Sequence, residues 1–532
     1  MATPAPSVCC LQGKCCNSIM IERRDLLKLA LGGALARVGG EAIVGAAQAQ
    51  NAPQPAEPQP FSFTNVVELA RILSKRAFKA AGPDLPDPFS SLNYDNYVGI
   101  RARRETMLWA NETIGFAIEP LHRGFIFSNP MQINTVEDGR VTRLVYDASK
   151  FDFGKLPQPT GVGDIAFSGF RLHVTQPGQP SQEVAIFQGA SFFRAIARGQ
   201  TAGVMARGLA IRTADAKGEE FPQFRAVWIE KPTLAAGVLV LYALLDSESL
   251  TGAYRFTLRP GDATIIDTEC TLFARVAVDH VGIAPMAGTS FLSPMDRRRV
   301  DDIRPVVAEL NGLQMWTGSG EWLWRPVANR EALQLSSFVD DKPRGFGMLQ
   351  RNRDFASYQD DIQHWELRPS LWIAPIGEWG PGSVQLVEIP SEAEVNDNVI
   401  AYWRPRDGLA AGSETMFAYR QFWCWQPPER PQAALVAHSR SGRGSSGKRR
   451  RFIVQFLYDA FAEPHRLADL KPVLHANPGV VTSMQIHLMP EWRVCRVVFE
   501  IDPGGETYSE MRLVLEAGGK PISETWLYRW TP

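Results

Sequence analysis

Short apolar runs broken by Gly, Pro, Asp and Asn dominate the chain from about Gly115 onward, and their spacing predicts strands. Phe116-Ala117-Ile118, Gly124-Phe125-Ile126-Phe127, Val141-Thr142-Arg143-Leu144-Val145-Tyr146 and Phe170-Arg171-Leu172-His173-Val174 are runs of this kind. Ala235 to Leu245 is continuously apolar, as a strand covered on both faces would be, and Ser249 to Leu258 follows as turn and strand. One stretch carries the helical period instead. Val66, Val67, Leu69, Ala70 and Leu73 share a face, and Asn65-Val66-Val67-Glu68 resembles a capping box, which predicts a helix from about Asn65 to Ala80.

The strand pattern repeats to about residue 426, where Gln426-Pro427-Pro428-Glu429-Arg430-Pro431 interrupts it. Prolines this dense cannot join a sheet ladder, so a domain boundary is expected there. The fold class expected is all-β: a large many-stranded antiparallel β-sandwich over 50–426, followed by a small immunoglobulin-like β-sandwich over 427–532. Strands of the second domain are expected at Phe452–Phe456, Val494–Phe499 and Thr525–Trp530. By the period of two, Trp526, Tyr528 and Trp530 share one face and read as core or seam. Ser439 to Arg451, rich in Gly, Ser and Arg, reads as a mobile, solvated basic loop.

The N-terminus has a different character. Ile21-Glu22-Arg23-Arg24-Asp25-Leu26-Leu27-Lys28, a moderately apolar Ala/Gly-rich run and Ala47-Gln48-Ala49 describe a twin-arginine export signal over 1–49, with cleavage after Ala49 and a periplasmic destination. Glu41 and the frequent glycines deny the run the roughly 20 apolar residues of a membrane span. Asn51 to Pro60 is then an extended, Pro-rich leader. Lys+Arg 56 against Asp+Glu 57 leaves a formal charge of −1, so no basic field exists to hold nucleic acid. Four of the seven cysteines lie before residue 20, and Cys270, Cys424 and Cys495 are far apart, so no disulfide framework or metal spacing is visible. The eight histidines stand singly, and no cofactor or metal is called for.

Candidate chemistry concentrates between Arg353 and Trp403. Carboxylates (Asp354, Asp360, Asp361, Glu366, Glu378, Glu388, Glu392, Glu394, Asp397) alternate there with rings (Tyr358, Trp365, Trp372, Trp379, Tyr402, Trp403). Flat apolar ring faces suit the CH faces of a pyranose, and carboxylates and Arg bond its hydroxyls, so the mixture fits a carbohydrate cleft. Nine of the fourteen tryptophans fall between residues 316 and 425, and more than half of these nine are assigned to packing. Asp397, in Val395-Asn396-Asp397-Asn398-Val399, stands directly before an apolar strand. A carboxyl there is either a rigid, partly desolvated acid or the first residue of an Asx turn.

The phrases Gly163-Asp164-Ile165-Ala166-Phe167-Ser168-Gly169-Phe170-Arg171, Gly189-Ala190-Ser191-Phe192-Phe193-Arg194, Arg207-Gly208-Leu209-Ala210-Ile211, Gly282-Ile283-Ala284-Pro285-Met286, Gly320-Glu321-Trp322, Tyr358-Gln359-Asp360 and Arg368-Pro369-Ser370-Leu371-Trp372 make the chain resemble the periplasmic glucan biosynthesis proteins D and G. The twin arginines favour the D branch. The resemblance implies a large β-sandwich with a smaller immunoglobulin-like domain, and inverting action on β-1,2-glucan as hydrolase or transglycosylase. It puts the general acid on Asp397 and the base of hydrolytic members on Glu309. Candidate sugar contacts are Glu394, Trp365, Tyr358, Asp360, Arg368 and Trp322. Two departures stand out: hydrolytic relatives have Asp in place of Glu309 and a proton-relaying Tyr in place of Trp365, whose indole has a donor but no acceptor oxygen. A membrane glucan synthase is the expected partner, and a non-catalytic glucan-binding scaffold beside it is the rival expectation.

Overall fold

A computed structural model describes residues 60–532 apart from 83, 176–179, 234–235 and 297–300. The export signal, the four early cysteines and nearly all of the Pro-rich leader lie outside the described residues. Two sheets face one another across the main core. A ten-stranded sheet runs in the spatial order Phe116–Leu121, Gly169–Val174, Gln182–Gln188, Phe192–Ala195, Met205–Arg207, Val281–Gly288, Val399–Pro405, Gly382–Glu388 and Gln334–Asp340, with Ala210–Ile211 on Val281–Gly288. A fifteen-stranded sheet opposes it, built around Leu239–Asp246, Leu250–Arg259, Thr264–Ala274, Glu414–Cys424 and Ser370–Ile376. Apolar side chains of both sheets meet in one cluster, with Phe187 and Phe193 of the first 5.5 Å and 5.3 Å from Phe256 of the second. The all-β sandwich expected from the punctuated apolar runs is what forms, although two pairings are parallel: Gln223–Glu230 with Gln132–Glu137, and Trp322–Pro326 with Thr525–Trp530.

The C-terminal strands build a second, smaller two-layer core. Arg450–Leu457 and Val494–Asp502 present Phe452, Val454, Phe456, Val497, Phe499 and Ile501 inward. Opposite them stand Met511, Leu513 and Leu515, together with Trp526, Tyr528 and Trp530, so the face that the period of two assigned to core is core. These last strands continue the fifteen-stranded sheet, because Leu323 and Trp324 pair with Thr525 and Trp526. No strand runs through Trp425–Ala433.

Several local expectations are corrected. The helix is Phe63–Ser74, with Ser62 as N-cap, its N–H donating to Oδ1 of Asn65 at 2.7 Å. It ends early because other elements take the carbonyls at its end: Thr251 Oγ1 bonds that of Ala70 at 2.8 Å, and Arg275 bonds that of Leu73 and, just past the helix, that of Arg76 at 3.0 Å each. Gly124–Phe127 closes a tight turn instead of extending, and the run from Val141 is strand only over Arg140–Arg143. Ser439–Arg451 is no loop. Leu435–Arg443 and Arg450–Leu457 pair as a hairpin, and only 444–449 turns, because the second strand's buried Phe and Val residues fix the pairing whatever the first strand's polarity.

Candidate active site

Strand pairing brings Asp397 and Glu309 to one junction. Val281–Gly288 runs antiparallel to Val399–Pro405 with Gly288 opposite Val399, so Asp397 lies just beyond the end of that ladder. Past Gly288 the chain passes through Thr289 into Ser290–Leu292, which pairs with Val307–Ala308, the strand that ends at Glu309. Thr289 therefore touches both segments. Its carbonyl accepts the Glu309 N–H at 2.8 Å, its own N–H donates to Glu309 Oε2 at 3.4 Å, and its hydroxyl faces the carbonyls of Asn396 at 2.9 Å and Glu394 at 3.2 Å. Asn398, fully buried, locks the other side by accepting from Ser290 N–H at 2.8 Å and donating to the carbonyls of Ser290 and Ile389.

The electrostatics of the pair are unusual. Burial first, and the Asp397 charge second, push the Glu309 carboxyl up to about 7, against the pull of Arg368, whose Nη1 is 3.7 Å from Oε1. Asp397 is also raised by burial, opposed by the charges of Arg207 and Arg194 and by no hydrogen bond. Those two arginines come from neighbouring strands, Phe192–Ala195 and Met205–Arg207, in which Phe192 faces Arg207. The Nε atoms of Arg194, Arg207 and Arg368 are buried without an acceptor among the described residues. Two carboxyls of raised proton affinity, ringed by underused donors, form a setting for proton transfer to and from a polar ligand.

Beside the pair lies a second charge cluster of opposite temper, centred on Arg304. Its guanidinium bonds Asp302 at 3.0 Å and 2.7 Å, Asp360 at 3.2 Å, and Glu394. Hydrogen bonding to Arg304 lowers Asp302; Asp360, although burial opposes it, is lowered by the N–H of Gln363, the Trp365 indole and Arg304. Arg304 thus ties together three loops, and each carries a bare aliphatic tip: Ile303, Ile362 and Val395 are 101%, 83% and 84% exposed.

The sugar contacts expected from the sequence divide into three groups. Glu394, Asp360 and Arg368 stand with the pair and the Arg304 cluster. Trp365 and Tyr358 are buried in a small core with Leu292, Val306, Val307 and Ala308. The Trp365 indole N–H is committed to Asp360 Oδ2 at 2.9 Å, and Arg368 lies 5.0 Å over its ring. Tyr358 turns its hydroxyl to the Asn352 carbonyl at 3.2 Å, and burial pushes it up to about 12. Both are packing residues here. Trp322 stacks between Trp316, 4.9 Å away, and Trp372, 5.9 Å away, and the structure gives it no contact with the pair.

Other carboxylates of the Arg353–Trp403 stretch have structural posts. Glu388 pairs with buried Arg325 at 2.8 Å, Asp354 caps a turn, and Glu378 meets Lys342 at the surface. Of the nine clustered tryptophans, Trp324, Trp365, Trp372, Trp379, Trp403 and Trp423 are buried, so most do pack. Sequence reasoning missed Arg194, Arg207, Arg304 and Thr289. The two strand arginines end and begin matched phrases, Ser191-Phe192-Phe193-Arg194 and Arg207-Gly208, and an Arg ending an apolar strand run was the available signal. Nothing local marks Arg304 or Thr289.

Comparison with known proteins identifies the family. The family described as "Periplasmic glucan biosynthesis protein, MdoG" matches residues 61–530. A protein from Vibrio cholerae named "Glucans biosynthesis protein G" is 44% identical over 478 residues, covering 88% of this chain and 87% of its own. Proteins of the same name from Shewanella baltica and another Shewanella are 43% and 42% identical, each over 88% of this chain and 87% of their own. The D-branch expectation is corrected by these names, which are those of G proteins; it rested on the twin arginines alone, outside the matched span. No helix among the described residues is long and apolar enough to cross a membrane. The chain belongs to the periplasmic glucan biosynthesis protein family.

Proposed function

We propose that this protein acts in the periplasm on β-1,2-glucan as an inverting enzyme, with Asp397 and Glu309 as its two carboxyls. The observation that carries the reading is the junction at Thr289, where two carboxyls of raised proton affinity meet with no partner able to neutralise both. Inversion needs an acid at the departing oxygen and a group that handles the incoming nucleophile from the opposite face. Glu309 is held by Thr289 and Arg368, which suits a group that orients an acceptor. Asp397 has no hydrogen-bonded partner among the described residues, which suits a group that takes its partner from the substrate. The working state is the pair carrying a single proton, and its apparent pKa values belong to the pair and not to either residue.

Because the Trp365 indole is spent on Asp360, no phenol relays a proton to Glu309 from that position. This favours a sugar hydroxyl over water as acceptor, and so transfer within or between glucan chains over hydrolysis. Ile303, Ile362 and Val395 would meet the CH faces of the glucan at the rim.

Incubation of the protein with linear β-1,2-glucan, followed by mass spectrometry, tests the proposal. Intramolecular transfer gives cyclic products lighter by one water than the linear chain of the same length, and hydrolysis adds one water per cut. Unchanged glucan that nevertheless binds would instead support a scaffold beside a membrane glucan synthase.

A further inference from the structure

Two phenylalanines stand at one flank of the candidate active site. Phe192 and Arg194 alternate along their strand with Phe193 and Ala195, which pack in the core, so the first two point to the opposite face of the ten-stranded sheet. Phe192 pairs across to Arg207 on the neighbouring strand. That strand and the one that follows Asp397 sit on either side of Val281–Gly288, with Ala206 and Ala401 both opposite Met286. Phe192 is thus one step from each of the two arginines whose charges act on Asp397.

The second ring, Phe221, arrives from the segment after Ala210–Ile211, and Glu220 fixes its place. The Glu220 N–H donates to the Ile211 carbonyl at 3.1 Å, and its carboxylate accepts the Ser249 N–H at 2.9 Å and hydroxyl at 2.6 Å. The rings of Phe192 and Phe221 lie 6.4 Å apart at 30°, and the Arg207 guanidinium is 4.6 Å from the first centre and 5.6 Å from the second. Arg207 is itself paired with Glu219, which also accepts from the Thr213 hydroxyl at 2.9 Å.

A lone exposed apolar side chain is ordinary, and a ring that only covers an ion pair is the plain alternative. Two features set Phe221 apart. It is 49% exposed while Arg207 beside it is 7% exposed, so covering the pair leaves about half of the ring over. No ring other than Phe192 lies against it among the described residues, unlike Trp322, which has a ring on each side. The charges nearby balance: Arg207 with Glu219, Arg212 with Glu220, Arg194 near Glu183, and Asp215 and Lys217 on one loop. Such a flank offers no net field to a charged ligand, whereas a flat apolar ring fits the CH face of a neutral pyranose.

We propose that Phe221, backed by Phe192, is a stacking platform for a glucose ring of the glucan chain, on the leaving-group side of the scissile bond. The inference rests on the reading of Asp397 as the acid and Glu309 as the group that orients the acceptor. Arg368 stands 3.7 Å from Glu309, whereas the arginine that acts most on Asp397 is Arg207. The acid serves the departing oxygen, so the departing chain lies on the flank of Arg207 and Phe221.

Calorimetric titration of the chain carrying Asp397→Asn with linear β-1,2-glucan reads the platform without turnover. Adding Phe221→Leu, which keeps apolar cover over Arg207 but removes the flat face, is expected to raise Kd about tenfold, and Phe221→Tyr to keep it within about twofold. Phe221→Met serves the same purpose should the leucine variant fold poorly. With Asp397 in place, Phe221→Leu lowers kcat/KM about tenfold on glucan but within about twofold on an oligomer whose leaving group is fluoride, which does not reach the platform. Equal Kd with and without Phe221→Leu overturns the platform and leaves the enzymatic reading standing. A tenfold loss on the fluoride as well overturns its place on the leaving-group side. The tenfold change in Kd with no turnover of glucan keeps the platform and removes the acid. No glucan bound at all overturns both.

Discussion

Two clusters of charge lie side by side in this protein and behave oppositely. Around Arg304 each carboxylate meets the guanidinium, and Asp302 and Asp360 are held below their ordinary range. At the Thr289 junction the same residue types are raised, because burial outweighs the arginines that stand near without bonding them. Neither residue identity nor the number of nearby arginines separates the two cases. Contact does: a charge-assisted hydrogen bond lowers a carboxyl more than an arginine held at a distance does. The cluster bonded to Arg304 is built to hold loops, and the junction, where Arg368 reaches Glu309 only at 3.7 Å, is left able to exchange protons.

The sharpest way to break that contrast is to remove a proton carrier. Asp397→Asn or Glu309→Gln is expected to lower glucan turnover by about 10²–10⁴-fold, the usual contribution of acid–base chemistry. The two can then be told apart. On an oligomer whose leaving group departs without a proton, Asp397→Asn regains rate and Glu309→Gln does not. The reverse pattern would make Glu309 the acid.

Breaking the paired cluster should cost less. Arg304→Met leaves Asp302, Asp360 and Glu394 without their shared partner and loosens the loop before Asp397, which Thr289 and, at Ser391, Asn329 then hold. Misplacement by about 1 Å can cost 10²-fold, so a fall in kcat of about 10–100-fold is expected, with a lower Tm read by calorimetry. Arg304→Lys, lacking the planar fork, recovers only part of it.

The pH dependence of stability separates the clusters again. Glu309 is raised in the folded state, so between its ordinary value near 4.5 and about 7 the native state binds more protons than the unfolded chain. Stability from this group is therefore full below about 4.5 and is lost as pH climbs through about 7, by roughly 3 kcal/mol at most. Glu309→Gln removes this slope, and urea midpoints measured at pH 5 and pH 8 should lie closer together than in the parent. A slope unchanged by the substitution would place the titration elsewhere.

How much of this was legible beforehand depends on how local each signal is. The sandwich showed itself because Gly, Pro, Asp and Asn cut the chain into strand-length apolar pieces, and Asp397 because a carboxyl stood against the start of one. The larger misreadings were tertiary. Helix length hinged on Arg275 and Thr251, some 180 to 200 positions away in sequence. The hairpin at Leu435–Leu457 looked like a loop because its own first strand is polar, whereas Phe452, Val454 and Phe456 on its partner decide the pairing. Arg304 sits in Asp301-Asp302-Ile303-Arg304-Pro305, which reads as an ordinary charged turn until the chain brings Asp360 and Glu394 to it.

Trp322 offers the mildest test, and it bears on how ring and carboxylate combine. Its place in a matched phrase suggested a sugar platform, yet its ring stacks at 8° on Trp316 and at 21° on Trp372, at the margin of the smaller core. Faces used on one another are not available to a pyranose. Trp322→Ala is therefore expected to lower stability by about 1–3 kcal/mol, less than a fully buried indole would, while KM for glucan stays within about twofold. A KM raised tenfold at unchanged Tm would mean that the glucan reaches across to this stack. The sugar path would then extend well past the loops gathered by Arg304, and the contrast between the two charge clusters would describe only part of a longer trench.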